Sequence, residues 1–318
     1  MTSLRLSLVI CATLFLEAVG GGQIVHGQAI PTTKYRALVM GNSSYSSDRL
    51  SGPDNDARDM AKALVGIGFT VVNASSMINL KRDQMVHAME NFMQEVDSDT
   101  VAIVYYSGHG VEDNNKNYLV PVDAVLKKYA DIDEQLLPLD EILKRLAQRE
   151  AKTRIVILDA CRDLPLALKY TKSFGDKGGL SVVKNLGPGT TIFFATAPNK
   201  VAISAMQSQR NSVFTSALLS AIEKKPATFM ELFITAAMST FKMTGEKQSP
   251  WISGELQMAA FQLHGAGQHA SANPLTQVPA LQIGSAPNTG TSLPALGCSE
   301  ISEQIVVNGI ATWRKKCI

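Results

Sequence analysis

Two apolar runs end in side chains capable of acid–base and nucleophilic chemistry. TVAIVYY leads into Ser107-Gly108-His109-Gly110, and TRIVIL leads into Asp159-Ala160-Cys161-Arg162-Asp163. An imidazole beside a thiol is the minimal pair for acyl transfer. The ring accepts the thiol proton as sulfur attacks a carbonyl carbon, then hands it to the leaving amine. Gly110 permits close approach of the backbone. Its N–H and that of Cys161 are the candidate donors to the developing oxyanion, and one such donor is worth about 3 kcal/mol of barrier. Singly, His109 also fits a structural histidine closing a strand, and Cys161 a small core residue. Together they fit less well, because a histidine between two glycines and a thiol flanked by charged residues are both poor core environments.

Competing chemistry leaves little trace. His26 lies near the start of the chain, His264 and His269 in a Pro-punctuated stretch, and His87 with Glu90, Asn91 and Gln94 on a polar helix face. No G-x-S-x-G elbow, H-E-x-x-H pattern or P-loop occurs. The expectation is therefore a reaction with no cofactor and no metal. Asp54, Asp56 and Asp59 read equally as the polar start of a helix, no EF-hand loop is present, and calcium stays unassigned.

For thiol and imidazole to meet, their strands must be neighbours with both residues at one edge of a sheet. Ligands of open parallel sheets bind outside the carboxyl ends of the strands. The pattern supplies such a sheet. YRALVMG, FTVVNAS, TVAIVYYSGHG, TRIVILDACRD and TTIFFATAP read as strands. DARDMAKALVGIG, KRDQMVHAMENFMQEV, PLDEILKRLAQRE, SVFTSALLSAIEK and TFMELFITAAMSTFKM read as helices. This predicts an α/β fold with a mostly parallel central sheet and helices on both faces. Val101 to Tyr106 and Ile155 to Leu158 are apolar without alternation, so their strands should be central.

The flanks differ in kind. The first 27 residues have the layout of a secretory signal: Arg5, an apolar run from Leu6 to Val19, then small residues up to Gly27. The run is shorter than the roughly 20 residues of a membrane span. Removal of the signal would leave no stable span, and the expected location is exported, periplasmic or secreted; an uncleaved anchor is the alternative. A single domain follows over 31–264, then a Pro-, Gly-, Ser- and Ala-rich linker over 265–296, then a short segment over 297–318. Cys298 and Cys317 bracket that last segment. In an oxidising compartment they are natural disulfide partners, closing a loop of about 20 residues worth roughly 3 kcal/mol. Asn308-Gly309 marks a hairpin turn between them. Cys161 is left as a free thiol. The whole chain is 45% hydrophobic and 18% charged with net charge +2, so it carries no basic field for nucleic acid, which is not expected as a partner.

The motifs together resemble the caspase-like cysteine peptidases. DACRD is similar to the caspase Q-A-C-[RQG]-G signature, with the histidine about 50 residues upstream. Asp159 in place of the caspase Gln, with GNSSY, LSGPDNDARDMAKAL, YYSGHG, SVFTSALL and QSPW, resembles the metacaspase, paracaspase and bacterial orthocaspase branch, over Tyr35 to Leu263. The resemblance implies a caspase-like sheet and an endopeptidase acting through an acyl-enzyme on His109 and Cys161. It also implies protein or peptide substrates with Arg or Lys before the scissile bond, held by Asp56 and Asp159. Residues two apart on a strand point the same way, which puts Asp159 beside Cys161. Asp56 alone also fits a first-turn carboxylate stabilising its own helix. Some relatives cut themselves, and Lys169, Lys172, Lys177 and Lys184 in the loop 163–189 are the candidate sites. The alternative is a caspase-like module without activity, serving a regulatory or binding role.

Overall fold

The computed structural model describes residues 33–72, 77–128, 130–161, 180–183, 186–198, 200, 209–254, 263, 300–307 and 310–317, with only the backbone of Cys161 and of 300–317. The expected signal, linker, processing lysines and Cys298 lie outside these residues. The chain divides into two compact units, Met1–His269 and Ala270–Ile318.

In the first unit the strands are β1 (Lys34–Gly41), β2 (Thr70–Val71), β3 (Thr100–Asp113), β4 (Lys116–Leu119), β5 (Leu137–Pro138), β6 (Thr153–Cys161), β7 (Thr190–Phe194) and β8 (Trp251–Gly254). The helices are α1 (Pro53–Gly66), α2 (Arg82–Gln94), α3 (Asp131–Gln135), α4 (Leu139–Gln148), α5 (Val213–Glu223) and α6 (Phe229–Met243). The main sheet runs β2-β1-β3-β6-β7-β8, parallel except for the antiparallel β7–β8 pair. The α/β architecture with a mostly parallel sheet is therefore the observed one.

Alternate residues of each strand feed opposite cores. Ala37, Val39, Ile103, Tyr105, Ile155, Ile157 and Phe193 pack with α1, α5 and α6. Leu38, Met40, Val104, Tyr106, Val156, Leu158 and Ile192 pack with α2 and α4. Burial on both faces is why these strands carry no polar alternation. It also makes β3 and β6 rigid rails for whatever their ends carry.

One boundary differs from the sequence expectation. The strand reading TVAIVYYSGHG stops at Gly110, yet the strand continues to Asp113. The short antiparallel β4 pairs with Gly110–Asp113 and β5 pairs with β4, so the extension finds hydrogen-bond partners beyond the main sheet. A four-residue strand carries too little pattern to be seen in advance.

The second unit contains β9 (Glu300–Val307) and β10 (Ile310–Cys317), paired antiparallel with Ile310 opposite Val307. That brackets the expected Asn308-Gly309 turn, which itself lies outside the described residues. Among the described residues no helix is long and apolar enough to cross a membrane.

Candidate functional site

Parallel pairing of β3 and β6 puts Ser107 opposite Asp159, Gly108 opposite Ala160, and His109 opposite Cys161. The two motifs identified from sequence are thus neighbours at one edge of the sheet, in register. Cys161 is the last residue of β6. Gly110 follows on β3, packed so closely that a Cβ there would come within 3.1 Å of Leu180 and 3.3 Å of Ala160.

The imidazole of His109 is fully buried at 0% exposure. Its Nε2 lies 2.8 Å from the backbone oxygen of Asp48, in the loop between β1 and α1. A carbonyl can only accept, so Nε2 carries the proton, and Nδ1 is left with its lone pair. Nδ1 is buried and has no hydrogen-bond partner among the described residues. A buried lone pair on an imidazole whose other nitrogen is pinned is the arrangement of a general base awaiting a proton. An Asp48 carboxylate oxygen stands 3.9 Å from Nε2. Sequence reading missed Asp48 and Tyr45, whose ring lies 4.4 Å from the imidazole between centroids.

Two buried carboxylates stand beside this edge. Asp56 is 1% exposed and Asp159 is 7% exposed. Asp56 lies in the first turn of α1, as the simpler sequence reading allowed, and its side chain also bonds outside that helix. Its Oδ2 accepts from Ser107 Oγ at 2.9 Å and its Oδ1 from the Ser212 N–H at 3.0 Å. Asp159 accepts through Oδ2 from Ser212 Oγ and from Thr215 Oγ1, the latter at 2.6 Å. Ser212 is the N-cap of α5, its hydroxyl accepting the Thr215 N–H at 2.9 Å. One capping residue therefore holds both carboxylates at the start of a helix, where the dipole favours negative charge. The sequence reading put Ser212 at the start of the helix SVFTSALLSAIEK but gave it no capping role and no tertiary partner.

Burial first, and then the neighbouring Asp159 carboxylate, push the Asp56 carboxyl well above the ordinary range, against the pull of its donors. Burial likewise raises Asp159. Two like charges this close are relieved by a proton or by a cation. Among the described residues no group of three or more His, Cys, Asp or Glu stands together as a metal site. Around the pair, Arg210 is committed elsewhere, its Nε and Nη2 donating to Asp59 at 2.7 and 3.0 Å.

A pH dependence of stability follows. Unfolded, both carboxyls ionise near 3.9; folded, they hold protons to higher pH. The folded state thus binds more protons, and the pair's contribution makes stability fall as pH rises from about 4 through the raised folded values. Thermal unfolding at pH 5 and pH 8 should show Asp159→Asn gaining on the ligand-free wild type as pH rises. A difference between the two proteins that is flat in pH contradicts this.

Comparison with known proteins gives the family. The model of the caspase domain matches residues 34–261. The mouse mucosa-associated lymphoid tissue lymphoma translocation protein 1 homolog is 32% identical over 137 residues, 43% of this chain and 16% of that protein. The human protein is 32% identical over 127 residues, 40% of this chain and 15% of its own length. A Dictyostelium discoideum paracaspase is 29% identical over 154 residues, covering 46% and 36%. The aligned stretches thus span only a minor part of these relatives.

Proposed function

The chain belongs to the caspase-domain family, and from that premise we propose that it is a cysteine endopeptidase cutting peptide bonds after Arg or Lys. Cys161 attacks the scissile carbonyl carbon and forms a thioester; His109 Nδ1 takes the thiol proton and delivers it to the leaving amine. Water, deprotonated by the same ring, then hydrolyses the acyl-enzyme and regenerates the thiol. The amides of Gly110 and Cys161 hold the oxyanion. The observation that carries this reading is the register of His109 with Cys161, together with an imidazole nitrogen that has no partner among the described residues.

Asp56 and Asp159 receive the basic side chain. A guanidinium or ammonium group offers the positive charge that a buried carboxylate pair lacks, and its binding displaces whatever proton the pair holds. This chemistry needs neither cofactor nor metal. The chain acts on exported or periplasmic proteins after loss of its first 27 residues. The test is hydrolysis of fluorogenic peptides ending in Arg, Lys or Asp by wild type and Cys161→Ala, with and without calcium. Cleavage after Arg and Lys that vanishes in the variant is expected, and silence on all three peptides refutes the reading.

The same activity would act on the chain itself. Lys169, Lys172, Lys177 and Lys184 follow the nucleophile within a Gly- and Lys-rich stretch, and a cut there would separate the two halves of the domain. On a denaturing gel the wild type is expected to give two fragments on storage and Cys161→Ala to stay whole. An intact wild-type band under conditions where peptides are cleaved rules out self-processing.

A further inference from the structure

The peptide of His109 pairs with β6 on one side, and on the other its N–H is met by a side chain rather than by a strand. β1 runs beside β3 as far as the Gly41–Ser107 pair, where the Asn42 N–H still bonds the Ser107 carbonyl at 2.9 Å. β4 takes up the pairing only at Gly110. The His109 N–H falls in the gap between them, while the His109 carbonyl accepts the Val120 N–H at 3.2 Å. There the phenol of Tyr45 replaces the missing strand: its oxygen accepts the His109 N–H at 3.0 Å. It lies 3.2 Å from the Val120 carbonyl, to which it can donate, and 3.2 Å from the Tyr106 hydroxyl. Tyr106 OH in turn donates to the His109 carbonyl at 2.8 Å.

Gly108 makes this possible. Its φ is +156°, and a Cβ there would come within 2.7 Å of the Tyr45 hydroxyl and 2.6 Å of the Tyr106 hydroxyl. The two oxygens occupy the space that any other residue would fill. Burial pushes the Tyr45 phenol up, so it stays neutral and keeps its proton to donate. Its ring also packs against the imidazole itself, tilted 52° to it.

We propose that Tyr45 is the positioning residue of the base: its hydroxyl fixes the His109 main chain and its ring fixes the imidazole, holding Nε2 on the Asp48 carbonyl and Nδ1 free. This rests on the peptidase reading for its kinetic consequence, though not for its spectroscopic one. A catalytic group displaced by about 1 Å loses on the order of 100-fold in rate. Tyr45→Phe keeps the ring and removes the hydroxyl, leaving a buried N–H without an acceptor. Tyr45→Leu removes both.

In the full chain, Tyr45→Phe is expected to lower kcat on an Arg-ending peptide about tenfold with KM within about twofold, and Tyr45→Leu about 100-fold. A Tyr45→Phe protein with wild-type kcat, or with a loss matched by the fraction unfolded, overturns the proposal. If the wild type cleaves no peptide, the peptidase reading fails by itself, and the proposal is judged on the ring. In the Cys161→Ala background, nitrogen NMR of His109 should show a single Nε2–H tautomer with Tyr45 and a mixture in Tyr45→Phe. An unchanged tautomer in the folded variant overturns it.

Discussion

Asp159→Asn is expected to lower kcat/KM on an Arg-ending peptide about 100-fold, most of it in KM, while the protein stays folded. Removing one partner of a buried charge pair across an interface costs about 2–5 kcal/mol, and 100-fold corresponds to roughly 2.7 kcal/mol. The substitution is well suited to the test because Ser212 and Thr215 both donate to the same oxygen, Oδ2. An amide can put its oxygen there, keep both hydrogen bonds and lose only the charge. Asp56 lacks this tolerance. It accepts through both oxygens, from Ser107 and from the Ser212 N–H. An amide nitrogen cannot accept, so Asp56→Asn should cost stability as well as activity. Thermal unfolding beside the peptide kinetics separates the two effects. Equal kcat/KM for wild type and Asp159→Asn on the Arg peptide would remove Asp159 from substrate recognition.

The larger loss is expected at the base and nucleophile. Cys161→Ala and His109→Ala should each reduce kcat by at least about 1,000-fold, and the double variant should be no worse than the more damaged single one, because groups acting as a unit are not additive. His109→Ala also empties the buried space between Tyr45 and the sheet, so its folding must be checked by thermal unfolding. His109→Gln serves as the second variant, since it fills the volume without a titrating ring. Retention of more than a tenth of wild-type kcat in a folded His109 variant would assign the base elsewhere.

Much of this arrangement was legible in the chain itself. The central strands announced themselves because burial on both faces left them without polar residues, and TVAIVYY and TRIVIL became β3 and β6 side by side. His109 and Cys161 were legible as a pair, because a histidine between two glycines and a thiol flanked by charged residues are both poor core environments. The support around them was not. The acceptor for Nε2 is a backbone carbonyl of Asp48, which any residue type supplies and no pattern marks. Tyr45 closes the GNSSY motif, which carried the resemblance without giving its phenol a role. Ser212 and Thr215 show as a helix start, yet their grip on Asp56 and Asp159 depends on α5 arriving beside α1 and β6, a long-range event. The overrun of β3 past Gly110 needed β4, whose four residues are below the reach of periodicity.

The central claim is that one thiol attacks peptides presenting a basic side chain. The most direct test is covalent labelling with two peptidyl acyloxymethyl ketones, identical except for Arg or Asp at the residue before the reactive group. The thiolate displaces the carboxylate leaving group and forms a thioether, whose mass locates the labelled residue. The account predicts rapid, stoichiometric addition of the Arg probe to Cys161, slow or no addition of the Asp probe, and loss of labelling in His109→Gln. An unlabelled Cys161, or equal labelling by both probes, would contradict it.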